Sequence, residues 1–302
     1  MSLRSRLLKH WLRITVRRYM ARMRDPVLLR TQFDRLMRFS FRPAPLSLHL
    51  PANIGGVSGL WVSNRPSAEQ VILYFHGGGY FFGSARTQMP MLSHLAQRTG
   101  LRVFSPDYRL APEYPFPAAF DDALAAWHGL LGKGYRPDQI VLGGDSAGGG
   151  LALALLAHLC QTGQRPAALF TYSPWTDLTL TGASLITNAA SEQILPAHRL
   201  TDIRALILGS ARPHEAGDPK LSPLYAAFPS PPPVQIFVAE TEILRDDSLR
   251  MRNRLPDAAI RLVGDLPHVW PMYHDLIPEA HRTLDDTAAF IRLALARPSG
   301  GS

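Results

Sequence analysis

Gly144-Asp145-Ser146-Ala147-Gly148 stands between the apolar run Ile140-Val141-Leu142 and a helical run that begins at Ala147. That placement constrains the fold more than any other feature of the chain. G-x-S-x-G at a strand-to-helix junction holds its serine on a sharp, strained turn, with the hydroxyl above a sheet and at the N-terminus of a helix. Glycines two residues before and after let strand and helix backbones approach closely. The pentapeptide alone is common; its strand–turn–helix context makes it informative.

The surrounding pattern agrees with such a turn. From about Leu46 onward, short β-rich runs alternate with longer helical ones, as in a mostly parallel sheet covered by helices on both faces. Strands are predicted at 46–50, 59–62, 71–75, 101–105, 139–143, 168–172, 234–239 and 260–263. The first two should form an antiparallel edge, because Pro51 to Ser58 is too short for a crossover helix. Helices are predicted at 89–99, 117–131, 147–161, 246–254 and 279–296. The stretch from Trp175 to Pro233 breaks the rhythm, with a helical pattern only over 197–208, and reads as an insertion. The expected organisation is therefore N-terminal cap helices (1–45), a first catalytic part (46–174), a cap insertion (175–233) and a second catalytic part (234–302).

A second glycine motif, His76-Gly77-Gly78-Gly79, follows directly on the strand at 71–75. Acyl transfer passes through a tetrahedral intermediate with an anionic oxygen, and each backbone N–H aimed at it contributes about 3 kcal/mol. Gly77, Gly78 and Ala147 are the expected donors, with His76 orienting the loop. No H-E-x-x-H and no cysteine pair suggests a metal, and Gly143–Gly148 lacks the lysine of a phosphate-binding loop, so no cofactor is expected.

Charge bears on partners. The formal net charge is +8, but Met1–Arg42 holds 12 Lys/Arg against 2 Asp/Glu and the rest holds 20 against 22. Basic character thus belongs to the N-terminal segment, where Leu8, Leu12, Val16 and Tyr19 fall at helical spacing among arginines. That amphipathic helix fits a lid over an active site and, second to it, contact with an anionic membrane surface or acidic partners. No recognition motif supports nucleic acid. Arginine interrupts every apolar stretch there, so neither a signal-peptide core nor a membrane span is expected, and the single cysteine, Cys160, fits a reducing, cytoplasmic location. A homodimer is a further expected assembly.

In order along the chain, His76-Gly-Gly-Gly79, Asp107-Tyr-Arg-Leu-Ala-Pro-Glu113, Phe116-Pro-Ala-Ala119, Gly144-Asp-Ser-Ala-Gly-Gly149, Ser173-Pro-Trp-Thr-Asp-Leu178, Ser222-Pro-Leu-Tyr225 and His268-Val-Trp270 resemble the bacterial hormone-sensitive-lipase-like esterases, in their GDSAG branch. The resemblance runs from about Val71 to Ile291. It implies an α/β-hydrolase fold with an eight-stranded sheet and a helical cap, and a triad in the chain order Ser, Asp or Glu, His. Ser146 is then the nucleophile and His268, on the loop after the last strand, its base. Tyr108, Arg109 and Glu113 carry over as scaffold; Tyr114 stands where histidine is common.

The acid departs from the family's Asp-Pro-Leu-Arg-Asp-Glu pattern, since this chain reads Glu240-Thr241-Glu242-Ile243-Leu244-Arg245-Asp246-Asp247. In the family the acting aspartate stands three residues before the arginine, which points to Glu242. Asp246, Asp247 and Glu240 remain alternatives, the first two as first-turn residues of the next helix. The resemblance implies hydrolysis of small esters with short acyl chains, with Tyr80, Phe81, Trp175 and Trp270 as pocket lining. Amide, formamide or acetyl-group hydrolysis by the same residues stays open, and so, more remotely, does a non-catalytic ligand receptor.

Overall fold

The computed structural model describes residues 1–22, 25–65, 69–209 and 213–296. Its centre is an eight-stranded sheet of β1 (Leu48–Ile54), β2 (Val57–Ser63), β3 (Val71–Phe75), β4 (Arg102–Pro106), β5 (Ile140–Asp145), β6 (Ala168–Tyr172), β7 (Val234–Ala239) and β8 (Ala259–Val263), in the order 1-2-4-3-5-6-7-8. β1 and β2 form the expected antiparallel edge hairpin, turned at Gly55 and Gly56 with φ of +63° and +84°. From β4 to β8 neighbouring strands are parallel. β3, β5, β6 and β7 are buried at every position, which is why they read as mainly apolar runs, with Asp145, Thr171 and Gln235 as their polar members; β8, at the far edge, has no buried residue.

Among the described residues ten α-helices accompany the sheet: α1 (Leu3–Ile14), α2 (Val16–Arg22), α3 (Pro26–Ser40), α4 (Ala85–Thr99), α5 (Ala118–Gly132), α6 (Ser146–Gln161), α7 (Ser184–Thr187), α8 (Leu200–Leu208), α9 (Arg245–Arg250) and α10 (Pro278–Leu295). One core joins α5 and α6 to the sheet, and the other joins α4 and α10, with Leu8 and Leu12 of α1 added to it. α6 is apolar almost all round, as a helix enclosed by sheet, α5 and the 168–178 segment must be.

Within 175–233 the helical pattern at 197–208 folds as a 3-10 turn at 197–199 followed by α8, and the stretch also holds α7 and 3-10 turns at 213–217 and 223–225. The single N-terminal helix is in fact two, parted at Thr15, whose hydroxyl bonds back to the Trp11 carbonyl at 2.7 Å. Several polar contacts hold this region to the body, among them the Lys9–Asp265 ion pair and two larger clusters. Arg30 of α3 donates to the carbonyls of Phe81 (2.6 Å) and Ala111 (2.5 Å) and pairs with both oxygens of Glu113. Glu279 of α10 accepts from the Ser2 backbone N–H (2.5 Å), the Ser2 hydroxyl (3.0 Å) and the Ser5 hydroxyl (2.7 Å).

Burial raises the Glu279 pKa, but the hydrogen bonds from Ser5 and Ser2 outweigh it and hold the group down at about 2. A depressed carboxylate contributes its stability above the unfolded pKa and loses it as pH falls through the folded one. This clamp is therefore present at neutral pH and persists into mild acid. Glu279→Ala is expected to speed tryptic cleavage within residues 1–22 several-fold at pH 7, since local opening sets the cleavage rate there, while the body stays resistant. Unchanged cleavage would show that Leu8, Leu12 and the Lys9–Asp265 ion pair hold α1 without the clamp.

Candidate active site

β5 lies between β3 and β6, and its carboxyl end meets α6 where backbone N–H groups and strand ends converge. Ser146 opens α6 with φ of 51°, a left-handed conformation costly to a residue with a Cβ. The flanking glycines are required by contact: a Cβ on Gly144 would meet the Gly148 carbonyl oxygen at 2.3 Å, and one on Gly148 would meet that of Phe75 at 2.2 Å.

Above this turn three side chains meet. The Ser146 Oγ lies 2.9 Å from His268 Nε2, and His268 Nδ1 lies 2.6 Å from Glu242 Oε2. A carboxylate only accepts, so Nδ1 carries the imidazole proton and Nε2 presents a lone pair to the serine hydroxyl. Glu242 and His268 are both buried. The glutamate's other oxygen, Oε1, accepts from the Ala239 N–H and the Ser173 hydroxyl, each at 2.8 Å. Ser173 in turn accepts from the Val269 N–H at 3.2 Å, tying the acid loop to the histidine loop. Burial pushes the His268 pKa down, but the hydrogen bond and charge of Glu242, with the charges of Glu192 and Asp145, bring it above the ordinary histidine value.

The alternatives for the acid sit elsewhere. Asp247 accepts from the Thr176 and Asp177 N–H groups at 2.7 and 2.8 Å, pinning the 173–178 loop, and Asp246 accepts from the Ser184 N–H at 2.9 Å. Glu240 is exposed.

One expected oxyanion donor has to be corrected. The Gly77 N–H is already spent on Asp145 Oδ1 at 3.1 Å, and that carboxylate also takes the Tyr74 hydroxyl at 2.8 Å and the Gln88 amide at 3.1 Å. Burial pushes Asp145 up to about 7 in spite of these donors. Among the described residues neither Gly78 nor Gly79 donates its N–H to a protein acceptor. Both glycines have positive φ, 120° and 59°, and both line the cavity over Ser146. Ala147, second in α6, has an N–H without an intrahelical partner, and Asp145 places no side-chain cap there. His76 stacks on Tyr108 at 4.3 Å, and the Tyr108 hydroxyl donates to the His76 carbonyl at 2.7 Å, which fixes the loop from beneath.

Ser146 and His268 open into an apolar cavity of about 600 Å³. Phe81 and Trp175 line it, with Phe33 and Met37 from α3, Leu195, and Ile203 from α8 among the other walls. Tyr80 and Trp270 do not line it, a second correction. Tyr80 has φ of 63°, and its ring is turned back against Tyr108. Trp270 follows Val269 at φ of 52°, and its indole N–H donates to Thr283 of α10 at 2.8 Å, inside the core.

Sequence reasoning missed Glu192. It is fully buried, and Oε1 accepts from the N–H groups of Gln193 (2.8 Å), Ile194 (2.8 Å) and Leu195 (3.3 Å), while Oε2 accepts from Ile243 at 3.1 Å. One carboxylate thus joins the cavity wall at Ile194 and Leu195 to the loop that carries Glu242. Burial raises its pKa, opposed by the charge of His268.

Known proteins show the same architecture. Residues 72–271 match the family described as the alpha/beta hydrolase fold. An esterase of Acinetobacter venetianus is 36% identical over 271 residues, 88% of each chain, and an acetyl-hydrolase of Streptomyces hygroscopicus is 35% identical over 80% of this chain and 81% of its own. A crystal structure of an esterase from the bacterial hormone-sensitive lipase family superposes with a TM-score of 0.90 at 36% identity, covering 98% of this chain and 99% of that one. The chain belongs to the bacterial hormone-sensitive-lipase family of esterases, within the α/β-hydrolase fold.

Proposed function

We propose that the chain is a serine carboxylesterase for esters of short acyl chains, with Ser146 as nucleophile, His268 as general base and acid, and Glu242 as the group that orients and charges the histidine. The relay of 2.6 and 2.9 Å contacts opening into an apolar cavity carries this reading. Ser146 Oγ attacks the ester carbonyl carbon as its proton passes to His268 Nε2, and the resulting imidazolium is held by Glu242. The N–H groups of Gly78, Gly79 and Ala147 receive the oxyanion. His268 returns its proton to the departing alkoxide, which leaves as alcohol. Water then attacks the acyl group, giving a proton to His268; the acid is released, and the proton returns to Ser146.

In this reading the segments 1–45 and 175–233 act as a cap, shaping the acyl and alcohol pockets from α3 and from the wall that Glu192 holds. The single cysteine, Cys160, fits a cytoplasmic setting. A cavity of this volume must hold both halves of the ester. Catalytic efficiency on p-nitrophenyl esters is therefore expected to peak at or below about eight acyl carbons and to fall for longer chains. A maximum at palmitate would contradict the closed pocket. Acetylated amines assayed beside the esters test the choice of bond, and faster amide than ester turnover would overturn the esterase reading.

A further inference from the structure

α1 turns two apolar faces in different directions. Leu8 and Leu12 are buried against the body, and the Glu279 clamp with the Lys9–Asp265 ion pair fixes the helix in that orientation. On the other side Leu3 is 71% exposed, Leu7 64%, Trp11 52% and Ile14 43%. At 3.6 residues per turn these four fall within an arc of about 80°. Arg4 borders this stripe on one side, and Arg6, His10 and Arg13 border it on the other, all exposed.

Two further observations give the stripe a partner. A basic cleft of about 460 Å³ runs between α1, α2 and the insertion, lined by His10, Arg13, Arg17, Arg18 and His198 together with Ile14. The catalytic cavity itself reaches this face, since Trp11, Tyr19, Leu36 and Leu276 line it and are also exposed. Apolar side chains flanked by cations, next to a basic cleft and around a cavity mouth, match a surface of apolar tails beneath anionic head groups. Among the described residues no helix is long and apolar enough to cross a membrane, so the contact would lie on the bilayer.

We propose that α1 docks the protein on an anionic lipid bilayer, with Leu3, Leu7, Trp11 and Ile14 entering the interface, the arginine cleft receiving lipid phosphates, and the mouth of the catalytic cavity opening at the lipid surface. Esters that partition into membranes would then reach Ser146 without crossing bulk water. Docking does not depend on turnover, so it is read by a measurement that involves no substrate.

The full-length protein is sedimented with vesicles of phosphatidylcholine alone and with vesicles containing one quarter phosphatidylglycerol. The expected result is association with the anionic vesicles, weakened by salt and reduced about tenfold or more in Leu3→Ser/Leu7→Ser and in Arg13→Gln/Arg18→Gln. Turnover of a water-soluble acetate ester should remain within about twofold of the parent in both variants, since none of the four residues lines the catalytic cavity. Absence of association with anionic vesicles, or equal association of parent and variants, would overturn the proposal. A lipid-free dimer that becomes monomeric in Leu3→Ser/Leu7→Ser, with no vesicle binding by the parent, would assign the stripe to contact between two copies and overturn it equally.

Discussion

Ser146→Ala is expected to lower kcat on p-nitrophenyl acetate by about five to six orders of magnitude, leaving the residual acceleration that oxyanion donors and binding supply. The loss is this large because every bond change passes through the Ser146 Oγ, and the rest of the relay has nothing to activate without it. The melting temperature should not fall, because the variant removes only an oxygen whose partner is His268. Ligand occupancy of the cavity should also survive. A variant that keeps more than a few per cent of parental turnover would mean that a different residue bears the nucleophile.

Glu242→Gln comes next in size, with kcat expected to drop by about three to four orders of magnitude and little loss of stability. Glutamine keeps the shape and retains an oxygen for the Ala239 and Ser173 donors. It removes the charge that stabilises the imidazolium and permits the wrong tautomer. The pH profile supplies a separate readout. Since the Glu242 bond and charge help to raise the His268 pKa, the acidic limb of kcat/KM in the parent should lie above the ordinary histidine value, with activity lost as pH falls and His268 is protonated. In Glu242→Gln that limb should move to lower pH. Asp246→Asn should have a far smaller effect on kcat. Asp247→Asn should act mainly through stability, as its carboxylate pins the Thr176 and Asp177 backbone. A large kcat loss in Asp246→Asn with a small one in Glu242→Gln would contradict the assignment.

The sequence made the central turn legible because G-x-S-x-G needs glycine on both sides for reasons of contact, and the same contacts appear at Gly144 and Gly148. The sheet was legible because doubly buried strands leave mainly apolar runs and edge strands do not. Glu242 and His268 could be located by their order and by counting from Arg245, and the folded chain brings them together with Ser146. What stayed hidden depends on direction more than on residue type. Gly77 looks like its two glycine neighbours until its N–H is seen to point at Asp145. Tyr80 and Trp270 occupy promising positions, but left-handed backbone at Tyr80 and at Val269 turns both rings away from the cavity. Glu192 lies in a polar stretch that reads as a solvated loop, and its partners are backbone N–H groups that no sequence pattern marks. The exposed stripe of α1 was masked by the better-spaced Leu8 and Leu12 of its buried face.

The most direct test of the account is covalent labelling of the full-length protein with a p-nitrophenyl phosphonate ester, followed by peptide mass analysis. Ser146 Oγ should displace p-nitrophenolate and retain the phosphonyl group, at one label per chain, on the peptide that contains Gly144-Asp-Ser-Ala-Gly148. Labelling should proceed in step with loss of esterase activity and should be slowed by about three orders of magnitude in His268→Asn. A label on any other residue accompanying the loss of activity, or full inactivation with Ser146 unmodified, would contradict the assignment of Ser146 as the nucleophile.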